Sequence, residues 1–105
     1  MYAIIRRYNL KGSLDRKSID DFKGRVESKY VPRVQDIRGF HSYCVVKVSE
    51  KELVSIGVFE DKAGATESSR LSADFLKNDP IKDQFSAPQI TEGELLISRE
   101  VPVTA

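Results

Sequence analysis

The chain has 105 residues, which suits one domain spanning residues 1–105. Its 17 basic and 16 acidic side chains leave a net charge of +1, so it lacks the positive field that attracts nucleic acids and anionic membranes. One cysteine excludes an internal disulfide and a thiolate zinc cluster. The first apolar run is stopped by Arg6, too early for a signal peptide or a membrane span, so we expect a cytoplasmic protein.

The order in which the hydrophobic period changes predicts the fold. Residues 2–8, 40–48, 52–59 and 90–100 alternate as strands do, whereas residues 14–30 and 61–76 repeat with a helical period. The resulting order, β-α-β-β-α-β, is that of a ferredoxin-like α+β sandwich. We therefore predict a four-stranded antiparallel sheet with two helices on one of its faces.

Several element boundaries can be assigned to single residues. Ser13 and Asp61 are the predicted N-caps of the two helices, because short polar side chains accept hydrogen bonds from the first turn. Pro32 lies inside the apolar stripe of the first helix and cannot donate a helical hydrogen bond. We expect a kink there, or two helical pieces that meet near Val31. Gly39 is expected to end this helical region.

The two faces of the predicted sheet differ in character, and both are apolar. We assign one largely aliphatic set to the face that the helices cover: Ala3, Ile5, Cys44, Val46, Val54, Ile56 and Val58. The other face would then expose a second set: Tyr2, Ile4, Tyr8, Tyr43, Val45, Leu53 and Phe59. So much apolar surface needs a cover, and a second copy of the sheet would supply it. The sequence therefore predicts a homodimer joined through its sheets.

Four stretches of the chain carry a resemblance to a known superfamily. They are the opening strand at 2–8, Tyr30-Val31-Pro32, the turn Ile37-Arg38-Gly39-Phe40 and the junction Val58-Phe59-Glu60-Asp61. With these the chain resembles the dimeric α+β barrel superfamily, in particular small proteins related to antibiotic-biosynthesis monooxygenases. Arg38 stands where proline is common in these proteins. The resemblance covers roughly residues 2–98 and implies the ferredoxin-like fold, a homodimer and a small hydrophobic or aromatic ligand.

Departures from the family limit what the resemblance implies about chemistry. Haem-degrading relatives use an Asn, a Trp and an axial His on the second helix, but this chain has no Trp and its one His is His41, at the start of a strand. Quinone-forming monooxygenases hold a phenolic substrate with Asn, Trp, Tyr and Arg. Asn9, Tyr8 and Arg6 are of the right types, without the Trp. We expect no bound cofactor and no metal.

The candidate ligand-binding residues are Arg6, Tyr8, His41 and Tyr43, which alternation places on one face of the sheet. An imidazole can remove a proton from a bound phenol or enol, and a guanidinium can stabilise the oxyanion. The alternative places His41 at the strand entrance, against solvent or the partner chain. Whether the pocket lies at the dimer seam or between sheet and helices stays open.

Other residues have structural interpretations that compete with a site. Arg6 and Arg7 alternate across the first strand, and one of them could form an ion pair with Glu92, Glu94 or Glu100 rather than bind an anion. Gly57 could make room for a ligand or for a bulky neighbour. Cys44 is expected to be a small buried hydrophobe, pointing away from His41.

Two functions follow. One is a homodimer that binds a hydrophobic or aromatic metabolite. The alternative is a cofactor-independent monooxygenase that acts on a phenol. The sequence does not decide whether the protein is an enzyme. RNA-recognition modules share the β-α-β-β-α-β order, but they need a basic and aromatic signature on the third strand. The third strand here lacks that signature, so RNA binding is rejected. An acylphosphatase-like loop at residues 9–13 is only faintly suggested.

Overall fold

The computed structural model describes residues 1–12 and 14–99, and its elements follow the predicted order. The strands are β1 (Tyr2–Asn9), β2 (Phe40–Ser49), β3 (Glu52–Phe59) and β4 (Gln89–Glu94). The helices are α1 (Arg16–Arg25), a π-helical turn (Val26–Tyr30), α2 (Val31–Gln35) and α3 (Lys62–Lys77), and a 3-10 turn (Lys82–Gln84) precedes β4. The predicted α+β fold class is confirmed.

The sheet is antiparallel throughout, with the strand order β2-β3-β1-β4. Arg6 lies in the centre of this sheet, opposite Ser55 on β3 and Ile90 on β4. The register of β2 shifts between Phe40 and Ser42, so His41 occupies an irregular position at the start of that strand. β4 is shorter than the predicted 90–100, and Glu100 lies outside the described residues.

The first helical region is divided in two, as Pro32 predicts. Pro32 stands in the first turn of α2, and the backbone N–H of Val31 bonds to the carbonyl of Val26, five residues earlier. A wider turn therefore joins the two pieces at Val31. α1 is capped by Asp15, whose carboxylate accepts from the backbone N–H of Ser18 at 2.7 Å, while the predicted cap Ser13 lies outside the described residues.

Two other predicted boundaries are confirmed. Gly39 has a φ of +85°, a left-handed conformation that favours glycine, and it follows the last helical turn before β2. Asp61 precedes α3 in an extended conformation and accepts a hydrogen bond from the backbone N–H of Gly64 at 3.1 Å.

The helices cover the opposite face of the sheet from the predicted one. Ile4, Tyr8 and Phe59, which were expected on the open face, are buried in the core with the helical residues Phe22, Tyr30 and Val34. By alternation and register, the aliphatic set assigned to the covered face lies on the open face instead: Ala3, Ile5, Cys44, Val46, Val54, Ile56 and Val58. The face assignment from sequence was therefore wrong, although the two sets were separated correctly.

The reason for this choice of face lies in α3. Its buried residues are mostly small: Gly64, Ala65, Ser68, Leu71 and Ser72. A Cβ added at Gly64 would lie 3.0 Å from the side chain of Phe59, which is 0% exposed. A helix with so small a contact face needs large partners on the sheet to fill the space between the layers. The aromatic face supplies them, and the aliphatic face does not.

Candidate functional site

Three of the four predicted site residues face the helices. Arg6 and Tyr8 are buried, and Tyr43 is half-buried, with its ring 5.3 Å from that of Tyr30 between centroids. Tyr43 pairs with Gly57 across β2 and β3, two positions along β3 from Ser55, the partner of Arg6. Of the two pocket locations left open by the sequence, these three side chains therefore point to the space between sheet and helices.

That space contains an aromatic cavity, which consists of a small inner part and a wider outer part. The inner part has a volume of about 40 Å³ and is lined by Tyr8, Phe22, Val26, Tyr30, Tyr43, Val45, Leu53, Ser55, Ser72, Phe75, Leu76 and Phe85. The outer part, about 290 Å³, opens between α1 and β2 and shares Phe22, Val26, Tyr43, Val45 and Leu53 with it. The inner part alone holds only a few waters, so an organic ligand would lie mainly in the outer part.

A small polar group interrupts the aromatic wall. The hydroxyls of Tyr8 and Ser72 are 2.9 Å apart and hydrogen-bonded, and the Tyr30 hydroxyl donates to the carbonyl of Ser68 at 3.2 Å. Aromatic walls with a few fixed polar groups are typical of small-molecule sites, where the apolar surface gives affinity and the polar groups give orientation. The π-helical turn contributes Val26 and Tyr30 to this wall, as such turns often do at sites.

Burial raises the phenol pKa of two residues of this cavity, Tyr30 and Tyr43. Desolvation raises the pKa of the Tyr30 phenol, and Arg6 opposes this only in part. Desolvation, and secondly the neighbouring Tyr30, raises the pKa of the Tyr43 phenol. The Tyr30 hydroxyl already donates to the Ser68 carbonyl, so the Tyr43 hydroxyl is the one of the two that can donate a hydrogen bond to a ligand oxygen.

His41 does not join the other three predicted residues. It is exposed at the irregular start of β2 and is not among the residues that line the inner or outer cavity. Its position matches the alternative that the sequence offered, a histidine at the strand entrance. The lining of the inner cavity holds no histidine and no carboxylate, so its strongest proton acceptors are neutral oxygens.

Arg6 does not form the predicted ion pair. Its guanidinium bonds to three serine hydroxyls, those of Ser55, Ser68 and Ser69. Within residues 1–12 and 14–99 no carboxylate lies within ion-pair distance of it. Of the candidate partners, Glu92 instead accepts a hydrogen bond from the Tyr2 hydroxyl at 2.9 Å.

Two further predictions are settled by packing. A Cβ added at Gly57 would lie 2.9 Å from the Phe59 ring, so this glycine makes room for a bulky neighbour rather than for a ligand. Cys44 is exposed on the open face, so the expectation that it is a buried hydrophobe within the chain was wrong. Its separation from His41 leaves no thiol–imidazole pair on one face.

Sequence reasoning missed the serines and much of the aromatic wall. Ser68 is 1% exposed and bonded to Arg6, whereas the polar residues of this helix are expected at the surface from their type alone. A detectable signal was the spacing of Ser68 and Ser72, four residues apart on α3 and in line with Gly64. Phe22 and Tyr30 were recognised as part of an apolar helical stripe, but the period cannot tell a packed core from a cavity wall.

No described helix is long and apolar enough to cross a membrane. Within the described part of the chain, His, Cys, Asp and Glu nowhere gather in a group of three that could hold a metal ion.

Comparison with known proteins identifies the fold. No family model matches the chain, and no curated protein matches it by sequence. Among solved structures, HapK from Hahella chejuensis is 17% identical, with a TM-score of 0.70 over 98% of this chain and 100% of that one. SnoaB from Streptomyces nogalater, a cofactor-independent oxygenase, is 12% identical, with a TM-score of 0.62 over 92% of this chain and 94% of that one.

A third solved structure supports the same fold. A dimeric ferredoxin-like protein from an uncultured marine organism is 14% identical, with a TM-score of 0.60 over 95% of this chain and 97% of that one. At these identities the likeness concerns the fold, and it extends over nearly the whole of each chain. The chain therefore has a ferredoxin-like fold, as its sequence predicts.

Proposed function

We propose that this protein is a homodimer that binds an apolar aromatic molecule in the cavity between its helices and its sheet. The observation that carries the proposal is the aromatic wall of the inner part, broken only by the hydroxyl groups of three tyrosines and two serines. The outer part adds apolar surface and the charged side chains of Lys23, Glu27 and Lys47. Such a wall favours a flat apolar ligand with one or two oxygen atoms. Tyr8 and Tyr43 of the predicted site belong to this wall.

The homodimer follows from the open face of the sheet. The helices pack on the other face of the sheet, so no described helix covers the aliphatic residues of the open face, where Val46 is 44% exposed. An apolar sheet face of this kind is a docking surface, and a second copy offers a matching one by two-fold symmetry. The dimeric ferredoxin-like neighbour has the same fold. Native mass spectrometry of the purified protein tests the dimer and reveals any ligand retained through purification.

Ligand binding can be tested with 2-naphthol as a neutral aromatic probe. Val45 lines both the inner and outer parts of the cavity, so Val45→Phe would narrow the passage between them. We expect the variant to weaken binding at least ~10-fold, as measured by fluorescence titration. Val48→Phe adds the same ring to an exposed residue of β2 outside this lining and should bind like the wild type. Equal binding by Val45→Phe and the wild type, or no saturable binding by the wild type, would overturn the proposal.

The alternative function is cofactor-independent oxidation of a phenol by O₂; SnoaB, which has a similar fold, is a cofactor-independent oxygenase. In that reaction a substrate CH₂ group becomes a carbonyl, with one oxygen atom entering the product and the other leaving as water. Arg6 favours this alternative, because a cation beside the cavity stabilises a substrate anion. The inner part of the cavity offers no base to remove the phenol proton, which counts against this alternative. The one carboxylate in the two linings is that of Glu27, in the outer part.

Oxygen uptake with hydroquinones and anthrones separates the two functions. An enzyme of the kind inferred from the sequence should lose most of its rate in His41→Ala and in Arg6→Met. If the wild type consumes no oxygen above the uncatalysed rate while 2-naphthol still binds, the protein is a binding protein. If it consumes oxygen at a rate that neither substitution changes, the proposed roles of His41 and Arg6 are wrong.

A further inference from the structure

The guanidinium of Arg6 is a buried cation without a buried anion. The residue is 2% exposed, and its acceptors are all neutral: the hydroxyls of Ser55 at 3.5 Å and Ser69 at 3.3 Å, and the shorter contact to Ser68. Its Nε atom is fully buried and has no hydrogen-bond partner. A buried charge normally has a paired counter-charge, because desolvation without one is costly. The described chain leaves this charge unpaired and one of its donors unused.

The half-buried Glu52 and the buried Asp79 are paired with other arginines. Glu52 pairs with Arg7, which points to the open face of the sheet, and Asp79 pairs with Arg25 at 2.8 Å. Within residues 1–12 and 14–99 no carboxylate pairs with Arg6, and a bound anion would supply the missing counter-charge.

Arg6 borders a second cavity, which we call the basic cleft. It lies between α3 and the segment that leads into β4, has a volume of about 290 Å³, and is lined by Arg6, Tyr8, Ser69, Ser72, Ala73, Leu76, Lys77, Lys82, Phe85, Ser86, Ala87, Pro88 and Ile90. Three of these side chains are cationic and none is acidic. The rest of the lining combines serine hydroxyls with apolar surface.

We propose that the basic cleft binds a small carboxylic acid with an apolar body. The Nε and Nη2 atoms form one edge of the guanidinium, and a carboxylate matches that edge with two parallel hydrogen bonds. Nη2 currently donates to Ser68 and Ser69, and Ser69 is a half-buried wall of the cleft. Rotation of the Ser69 side chain opens the edge to the ligand, which supplies the acceptor that Nε lacks.

The remaining wall determines the rest of the ligand. Leu76, Phe85, Pro88 and Ile90 provide apolar surface for a ring or a short chain, and Lys77 and Lys82, both exposed, attract the acid to the mouth of the cleft. The cleft and the aromatic cavity share Tyr8, Ser72, Leu76 and Phe85 as a common wall, so they are adjacent sites with different ligand chemistry.

The test compares 2-naphthoate with its primary amide, which has nearly the same shape and no charge, by isothermal titration calorimetry at pH 7 and low salt. We expect the wild type to bind the acid at least ~10-fold more tightly than the amide. Arg6→Met should abolish that preference, whereas Arg7→Met, on the open face of the same strand, should retain it. Equal affinity of the wild type for acid and amide, no binding of the acid, or a preference that survives Arg6→Met would each overturn the proposal.

A second pair of variants leaves Arg6 in place, which covers the case in which Arg6→Met does not fold. Ala73→Phe puts a ring into the cleft from an exposed position on α3, and Ala63→Phe puts one near the start of the same helix, outside the cleft. Only Ala73→Phe should weaken acid binding, again at least ~10-fold. Acid binding that Ala73→Phe does not change would place the ligand elsewhere and overturn the proposal.

The same variants separate this proposal from the aromatic cavity. Val45→Phe should weaken binding of 2-naphthol and leave the preference for the acid unchanged, and Ala73→Phe should do the reverse. A protein that binds 2-naphthol but shows no preference for the acid would refute the basic cleft while retaining the proposed function.

Discussion

The two faces of the sheet differ in the number of polar groups that they carry. The helix-covered face contains a buried arginine, three tyrosines and Ser55, whereas the centre of the open face is aliphatic from β1 to β2. The more polar face is the one buried within the chain. α3 supplies hydrogen-bond partners to two of these polar groups, Arg6 and Tyr8, through Ser68, Ser69 and Ser72. The comparison shows that the cover of a face is chosen by the shape and hydrogen bonds of the covering element, and not by which face is more hydrophobic.

The largest effect is expected from a charge placed on the open face. Val46 is 44% exposed and pairs with Val54 across the strands, so Val46→Lys is tolerated by a single chain. In a sheet-to-sheet dimer the ammonium group would be buried without a partner, at a cost of ~3 kcal/mol or more. We expect the dissociation constant of the dimer to rise at least ~100-fold, so that the variant sediments as a monomer at micromolar concentration.

The matched control introduces the same charge on the helical side of the molecule. Thr66→Lys lies at an exposed position of α3 and should leave the mass of the assembly unchanged. A Val46→Lys protein that remains dimeric with wild-type affinity would show that the open face is not the dimer interface.

A smaller effect is expected from glycines that differ in the space around them. Gly57→Ala places a Cβ 2.9 Å from the Phe59 ring on the covered face, which forces this packed layer apart. We expect the free energy of unfolding to fall by ~1–3 kcal/mol in a denaturant titration. Gly24→Ala, in α1, meets no atom within 4 Å and should raise stability by up to ~1 kcal/mol because alanine favours a helix. Coinciding unfolding curves for Gly57→Ala and the wild type would mean that the Phe59 ring has free space into which it can move.

The fold was predictable because local signals agreed with one another along the chain. The strand and helix periods, the break at Pro32, the cap at Asp61 and the turn at Gly39 all recur in the structure. Each of these signals depends on a few neighbouring residues, so no long-range contact is needed to read it. The separation of the strand residues into two sets is of the same kind, because side chains alternate along any strand.

The site was only partly predictable, because it depends on contacts between distant elements. Arg6, Tyr8 and Tyr43 could be grouped by alternation, but the choice between helices and partner chain as their cover depends on the small contact face of α3. The irregular register at the start of β2 could not be read from an alternating pattern, so His41 was grouped with them. The three serine partners of Arg6 come from β3 and α3, and hydrophobic period treats a buried serine as a surface residue.

The smallest expected effect is a decrease in the free energy of unfolding at alkaline pH, which reports how well the covered face of the sheet excludes water. Burial raises the pKa of the Tyr43 phenol above its ordinary value of 10.0, and it also raises that of Tyr30. Below pH 10 both phenols are protonated in the folded and the unfolded chain, so they add no pH dependence. As the pH rises through 10 the unfolded chain ionises first, and the free energy of unfolding therefore falls.

Denaturant titrations from pH 8 to 11 should show this decline, and Tyr43→Phe should make it shallower. Val48→Phe, which adds a ring on the same strand without removing a phenol, should follow the wild type. An identical decline in Tyr43→Phe and the wild type would mean that water reaches Tyr43 and that its phenol ionises as in solution, which would make the covered face at β2 as wet as the open one.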